Sequence, residues 1–372
     1  MRFVEEGLLS RIGKINVLEL TGDHRQMGRQ YGKLFKDQLN GFYESAVNGY
    51  FIKKERFSYL KLLALSRLLF RSYPPKFKEM FAGMRETSGM SLSKLVMLDQ
   101  LNAFELVRNQ RIGRCSNISA WGDYSVLGTL VIGRNFDQPE YFKNFNEFLT
   151  LTVFNPDDGI PTMNIGYAGQ VGINSAMNER GVFLANNEAP VIKGDAIDIC
   201  APNVLLAELE FLMRSSSMSD LERHMKSART NCPIIVTTAD PKSACTYEWT
   251  TRDLKSVCGA GRGLVVTTNH FVDTSWKRPA PGPCAYGMTE ERSANLRSLG
   301  EKHKGKIGAK KMQELLDIGL AEGGATHSDK TIFQMVVVPA ELKVWLKVPG
   351  YQEWTDMDLG KLFSKRMSTV RS

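Results

Sequence analysis

The chain has 372 residues, of which 42% are hydrophobic and 24% charged, with a net charge of +8. These values fit an ordinary globular protein of one large or two small domains, with material for a substantial core. The positive charge favours anionic surfaces or substrates, but no aromatic-and-basic recognition motif accompanies it, so nucleic-acid binding is not expected.

In chain order, residues 15–20 alternate as a strand, and Thr21-Gly22-Asp23 signals a turn and a helix start. A long helix is predicted from His24 to about Tyr50. A second runs from about Glu55 to Ser72 and stops at Pro74-Pro75, a third covers 76–88, and a fourth follows Ser91. The first 110 residues therefore read as mostly helical. From Cys115 to about Pro190 the pattern changes to short strands at 116–120, 129–135, 148–153, 162–165, 172–177 and 182–185. Helices return at 202–213 and 218–228, strands at 233–238, 245–250 and 263–268, and helices at 290–300 and 310–320. Two last strands, 331–338 and 342–348, flank a tight turn at Pro339-Ala340. Strands and helices come in blocks, which predicts an α+β protein of antiparallel sheets with helices outside, not a doubly wound parallel sheet. No internal repeat or clear linker divides the chain.

Six cysteines (Cys115, Cys200, Cys232, Cys245, Cys258 and Cys284) include no Cys-x-x-Cys pair, so zinc and thioredoxin-type readings fail and no metal or cofactor is expected. Their scarcity favours a reducing compartment, while an even number leaves disulfides open. The N-terminus shows no apolar signal region, which favours a cytoplasmic location; a trimmed N-terminus would read the same and leave export open. No segment supplies the roughly 18 apolar residues of a membrane span. The basic stretches 302–311 and 361–371 read as solvated faces.

The chemistry centres on Gly113-Arg114-Cys115-Ser116-Asn117 and, further on, Gly133-Arg134-Asn135-Phe136-Asp137. A thiol is only slightly ionised at neutral pH and needs a base. None of His24, His224, His270, His303 and His327 lies in a recognisable cysteine-protease signature. An α-amino group, with a pKa of roughly 7.7–8.0, is well matched to that task. It becomes available on the nucleophile itself if the chain is cut between Arg114 and Cys115. Taken alone, Cys115 reads more readily as a buried small hydrophobe than as a nucleophile.

Its surroundings decide between these. Leu18-Glu19-Leu20-Thr21-Gly22, Met27-Gly28-Arg29-Gln30-Tyr31-Gly32, Met80-Phe81-Ala82-Gly83-Met84 with the stretch 95–102, Cys115-Ser116, Gly133–Asp137, Gly166-Tyr167-Ala168-Gly169, Met177–Val182, Thr268-Asn269 with Trp276–Pro281, and Glu291-Arg292-Ser293 follow one another in a familiar order. Together they resemble the N-terminal-nucleophile (Ntn) hydrolases, and within them the penicillin acyltransferase family, whose relatives include acid amidase, acid ceramidase and bile-salt hydrolase. The resemblance spans nearly the whole chain. It implies a four-layer αββα sandwich of two antiparallel sheets, with residues 1–114 as a helical pro-segment and 115–372 as the catalytic part.

The resemblance also implies roles. Cys115 attacks an amide carbonyl, and Asp137 holds its amine. Arg134 lowers the thiol pKa, and because it lies three residues from Asp137 a bulge or strand end must bring both inward. Asn269 is the oxyanion donor, with Asn187 nearby; which of Asn186 and Asn187 faces the site is open. Arg292 orders the surroundings, and Tyr167, Asn186 and Trp276 contact substrate. Cys115 follows its relatives' pattern except that Arg134 and Asp137 lie 19 and 22 residues on (134 − 115 and 137 − 115), slightly farther than in the bile-salt branch, an excess assigned to the Gly122–Gly128 turn.

The expected reaction is self-cleavage at Arg114–Cys115, giving two fragments that stay associated, followed by hydrolysis or transfer of the acyl group of a small-molecule linear amide through a Cys115 thioester. The apolar run 59–70, flanked by Lys53, Lys54, Arg56, Lys61, Arg67 and Arg71, is either a core-facing helix or a peripheral membrane contact. Two other readings stand beside the main one. One is a Cys–His hydrolase using His270 or His303 without self-cleavage; the other is a non-catalytic binding relative.

Overall fold

A computed structural model describes residues 2–4, 6–104, 114–189, 198, 201–258, 263–278, 282, 285 and 287–364. Cys200, Cys284, the Pro279-Ala280-Pro281 motif, Gly113 and the end of the last basic stretch lie outside the described residues.

Strands β1 (Arg2–Val4), β2 (Gly7–Ile12) and β3 (Ile15–Gly22) open the chain. Helix α1 (His24–Leu34) starts where the sequence placed it, with Asp23 capping Gln26 and Gln26 returning the bond in a capping box. The predicted long helix to Tyr50 is three pieces: α1, α2 (Lys36–Phe42) and a π-helical stretch, Tyr43–Lys54. The buried pairs Phe42-Tyr43, Ala46-Val47 and Tyr50-Phe51 recur every fourth residue. That period exceeds 3.6, so wider winding keeps all three pairs on the core face. Arg56, at φ 55°, separates this stretch from α3 (Tyr59–Arg71), which is followed by α4 (Pro75–Ser88) and α5 (Leu92–Asp99).

The hairpin β4 (Ser116–Gly122) and β5 (Gly128–Asp137) comes next, then β6 (Leu149–Pro156), β7 (Thr162–Tyr167), β8 (Ser175–Asn178) and β9 (Phe183–Glu188). Helices α6 (Val204–Leu212) and α7 (Met218–Lys226) precede β10 (Ile234–Ala239), β11 (Ala244–Trp249), β12 (Leu254–Val257) and β13 (Leu264–Thr267). The chain ends with α8 (Thr289–Lys302), α9 (Ala309–Asp317), β14 (Thr331–Val338), β15 (Lys343–Val348), β16 (Gln352–Asp358) and α10 (Leu359–Ser364). Residues 172–174, expected in a strand, precede β8; β1, β2, β12, β16 and α10 had no sequence counterpart.

The strands form two sheets. The larger runs β1-β2-β3-β6-β7-β8-β9-β10-β11-β12, the smaller β13-β4-β5-β14-β15-β16. Leu151, Val153 and Ile165 of the first sheet share one core with Ile132, Met335 and Val337 of the second. A second core packs Ile118, Ala120 and Val131 against Leu296 of α8 and Met312 and Leu315 of α9. Helices α1 to α5 cover the outer face of the larger sheet. This is the αββα order of layers. The expectation of antiparallel sheets needs one correction: β3 pairs β6 in parallel, from Asn16↔Thr150 to Gly22↔Pro156. The helices α1–α5 and the β4–β5 hairpin lie between them and supply the long connection that a parallel pair requires.

Residues before Cys115 are thus woven into the larger sheet through β1–β3. They also form a close helix crossing. A Cβ on Gly28 would lie 2.1 Å from the Met80 carbonyl oxygen, and one on Gly83 2.2 Å from that of Arg25. The Gly28/Gly32 and Gly83 motifs are two sides of one α1–α4 contact, at which only glycine lets the backbones meet. On α3, Leu62, Ser66 and Leu69 face the core, while Tyr59 and Leu60 are exposed. Among the described residues no helix is long and apolar enough to cross a membrane. Cys245 and Cys258 form a disulfide that ties β11 to the end of β12, its paired neighbour.

Candidate active site

Cys115 stands immediately before β4, and Asp137 is the last residue of β5. In the ladder between these strands Asn117 faces Arg134. Of the bulge or strand end expected to bring Arg134 and Asp137 to one side, Asp137 occupies the strand end; opposite it β14 is bulged, pairing Thr331 with Asp137 and Phe333 with Phe136 and leaving Ile332 over.

The Cys115 side chain is 3% exposed, and its Sγ lies 3.9 Å from the Asp137 carbonyl oxygen. Burial raises the thiol pKa; the Arg134 charge pulls it down and Asp137 pushes it further up. The expected lowering by Arg134 is therefore present but outweighed. The leading charges acting on the thiol are Arg134, Asp137 and Glu188, and Arg292 interacts with it as well.

Arg134 is fully buried and fans across the gap between the sheets. Its Nη1 donates to Asn117 Oδ1 (3.1 Å) and Asn187 Oδ1 (2.9 Å), its Nη2 to the carbonyls of Asn174 (3.2 Å) and Asn186 (2.6 Å). Burial lowers its pKa. Asp137 is also fully buried, and neither carboxylate oxygen has a hydrogen-bond partner of good geometry. Burial pushes its pKa up to about 6, while Arg292, the Thr331 hydroxyl, Arg134 and Arg114 pull the other way.

Asn187 Nδ2 donates to the Cys115 carbonyl at 3.1 Å and to that of Thr268 at 3.1 Å. Neighbouring residues of a strand point to opposite faces, and Asn186 accordingly turns away, its Nδ2 2.7 Å from Glu208 Oε2 on α6. Of the two asparagines, Asn187 is the one that meets Cys115.

Arg292 enters from the first turn of α8, 0% exposed. Its Nη1 donates to two successive carbonyls, those of Arg114 and Cys115, the latter at 2.9 Å. Its Nη2 reaches Asn269 Oδ1 (3.0 Å) and its Nε the Gly287 carbonyl (2.7 Å). Asn269 Nδ2 donates to the Glu188 carbonyl at 2.8 Å, and its backbone N–H to Thr289 Oγ1 at 2.8 Å. The structure thus gathers Arg114, Cys115, Arg134, Asp137, Asn187, Asn269 and Arg292 around one peptide bond.

The remaining expected residues sit elsewhere. Tyr167 is buried in an aromatic cluster, stacked on Phe42, with its hydroxyl on the Phe142 carbonyl. Trp276 caps the segment after Asn269, its Nε1 2.6 Å from Glu248 Oε2. His270 Nδ1 engages Thr268 and Thr289, and His303 lies among Lys302, Lys306 and Lys311.

Sequence reasoning missed Asn117 and Thr331. A period of two counted from Cys115 puts Asn117 on the thiol's strand face and could have found it. Thr331 carries no local signal, because it meets Asp137 only through the β5–β14 pairing. It missed His327 too, whose pKa burial, Arg292 and Arg114 lower to about 4. Among the described residues no group of His, Cys, Asp or Glu is placed to hold a metal ion.

No protein-family model matches the sequence, and no curated protein matches it. Similar solved structures include the Caenorhabditis elegans ortholog of N-acylethanolamine-hydrolyzing acid amidase, 18% identical, with a TM-score of 0.46 over 66% of this chain and 99% of that one. A conjugated bile acid hydrolase from Clostridium perfringens is 14% identical, with a TM-score of 0.43 over 66% of this chain and 93% of its own. Penicillin V acylase from Agrobacterium tumefaciens is 10% identical, with a TM-score of 0.43 over 66% of this chain and 87% of its own.

Proposed function

We propose that the chain is a self-activating cysteine Ntn hydrolase of the penicillin acyltransferase kind. It cleaves, or transfers the acyl group of, a small linear amide of the N-acyl amine or N-acyl amino acid type. The observation that carries this reading is the grip of Arg292 on the Arg114 carbonyl, the oxygen of the bond between residues 114 and 115.

In the proposed maturation, Cys115 Sγ attacks the Arg114 carbonyl carbon. Negative charge gathers on the oxygen beside Arg292, an arrangement that stabilises an oxyanion. The C–N bond breaks, the Cys115 nitrogen takes a proton, and water hydrolyses the resulting thioester. Residues 1–114 and 115–372 become two fragments, and β3 and β6 hold them together. The freed amine supplies the base that the buried thiol needs, and the buried carboxylate of Asp137 holds that amine. In turnover Cys115 attacks the substrate amide, its amine protonates the leaving nitrogen, and water or a second amine accepts the acyl group. Arg134 tempers the thiol, and Asn187 and Asn269 furnish amide donors near the reacting carbonyl; the side chains of Tyr167, Asn186 and Trp276 point elsewhere and have no part in it.

The Cys–His reading is less favoured because His270 is occupied by Thr268 and Thr289. Trapping an acyl group on Cys115 with an N-acyl amine, seen by intact mass, tests the reaction. Turnover that survives Cys115→Ala would overturn it, and no turnover or acyl-enzyme in the wild-type chain would favour the non-catalytic alternative. Peripheral membrane contact through Tyr59 and Leu60 beside Lys61 and Arg67 belongs to the proposal. Vesicle binding of the parent that is lost in Leu60→Ser supports it, and no binding by the parent removes it.

A further inference from the structure

Glu208, at the middle of α6, is a carboxylic acid with 0% exposure and takes no direct part in the cluster around Cys115. Its Oε2 accepts a hydrogen bond from Asn186 Nδ2 at 2.7 Å. The other oxygen of each group, Glu208 Oε1 and Asn186 Oδ1, is buried without a partner. Both are acceptors when the acid is ionised. When the acid is protonated, Oε1 becomes a donor and Asn186 Oδ1 its natural acceptor, closing a two-bond acid–amide ring.

Asn186 in turn faces the site through its backbone. Its carbonyl receives Arg134 Nη2 at 2.6 Å, the shortest of the four bonds that hold that guanidinium. Asn186 Nδ2 also ties to the Ile173 carbonyl at 3.1 Å, next to Asn174, whose own carbonyl takes the other Nη2 bond.

We propose that Glu208 is a positioning residue which, as a neutral acid ringed to Asn186, fixes the carbonyl that aims Arg134 at the Cys115 thiol. This rests on the reading of Cys115 as the nucleophile. Burial pushes the Glu208 pKa up to about 8, with only the Asn186 bond opposing it. The titratable or charged groups around it are Cys232, which feels both Glu208 and Glu188, Arg134 beyond Asn186, His224 stacked on Phe211 of α6, and Glu210 paired with Arg214. Ionisation places two acceptors against each other, opens the ring and loosens Arg134. Glu208→Gln keeps the ring at every pH, since its amide nitrogen donates where the protonated oxygen did.

The test is the rate at which Cys115 of the full chain reacts with methyl methanethiosulfonate from pH 6 to 10, read on its peptide by mass spectrometry. This rate reports the thiol whether or not the chain has cut itself, so a failure of self-cleavage and a failure of this proposal are distinguishable. Glu208→Ala is expected to react about tenfold more slowly than wild type at pH 7, because the thiol loses its cation. Glu208→Gln is expected to match wild type at pH 7 and to exceed it above pH 8, where wild type bends away from a single ionisation curve. Superimposable profiles of wild type and Glu208→Gln over the whole range overturn the proposal. That comparison suffices if Glu208→Ala does not fold.

Discussion

Arg292 donates one guanidinium nitrogen to the carbonyl of Arg114, on the amino-terminal side of the nucleophile, and the same nitrogen to the carbonyl of Cys115 itself. A buried cation thus spans the very bond whose breakage would release the Cys115 amine. Replacing it should separate folding from maturation. Arg292→Gln is expected to slow self-cleavage by about 10²–10³-fold, the cost of one lost oxyanion donor, while its amide still serves Asn269. Densitometry of the two fragments against time checks this, beside a melting curve. Cleavage at the wild-type rate in a folded Arg292→Gln chain would remove Arg292 from the mechanism.

Asp137 gives a pH prediction. Its folded pKa, about 6, is raised above the unfolded value near 3.8. A raised carboxyl contributes stability that is present below about pH 4 and lost as pH climbs through about 6. In the uncut Cys115→Ala precursor, Asp137→Asn should therefore add about 3 kcal/mol at pH 7, the free energy equivalent of that displacement, and nothing near pH 4. Denaturant midpoints at the two pH values measure it. In the active chain the carboxylate is the working form, so self-cleavage should fall as pH drops below about 6. Equal stability gain at both pH values would contradict the assignment.

The α1–α4 contact is predicted to tolerate no side chain. Gly83→Ala puts a methyl 2.2 Å from the Arg25 carbonyl oxygen and 2.8 Å from the Arg29 nitrogen, neither of which can rotate away. A loss of about 1–3 kcal/mol or more is expected from forced separation of the helices, against no effect for Gly282→Ala, where a Cβ meets nothing within 4 Å. Thermal midpoints of the two variants decide it.

After cleavage the halves should copurify. The β3–β6 ladder runs through seven residue pairs, and α1 to α5 bury Met27, Tyr31, Phe77 and Phe81 in the shared core. Size-exclusion chromatography should show one species in buffer and two only in denaturant. Separation in buffer would contradict the interleaved sheet.

Much of this was legible in the residues, for reasons that differ from place to place. The β4–β5 hairpin announces itself because apolar residues and turn glycines repeat over a short span, and with it come Cys115, Arg134 and Asp137. The break of the first helix at Phe35 was hidden, since no proline or glycine marks it; the four-residue recurrence of apolar pairs from Phe42 to Phe51 marks only the π-helical stretch that follows. The parallel joining of β3 to β6 leaves no trace in either strand, because both carry mixed alternation and the partner is more than a hundred residues away. Glycine motifs on α1 and α4 were visible as motifs, and only their meeting in space explains them. Glu208 reads as an ordinary helix glutamate until Asn186 is seen beneath it.

The most direct test of the account is the intact mass of the purified wild-type chain beside that of Cys115→Ala. Wild type should give two masses, for 114 and 258 residues (372 − 114), and Cys115→Ala a single one for the full chain. An uncut wild type that nonetheless cleaves amides through Cys115, or a Cys115→Ala chain cut at the same bond, would contradict the claim that the nucleophile makes its own base.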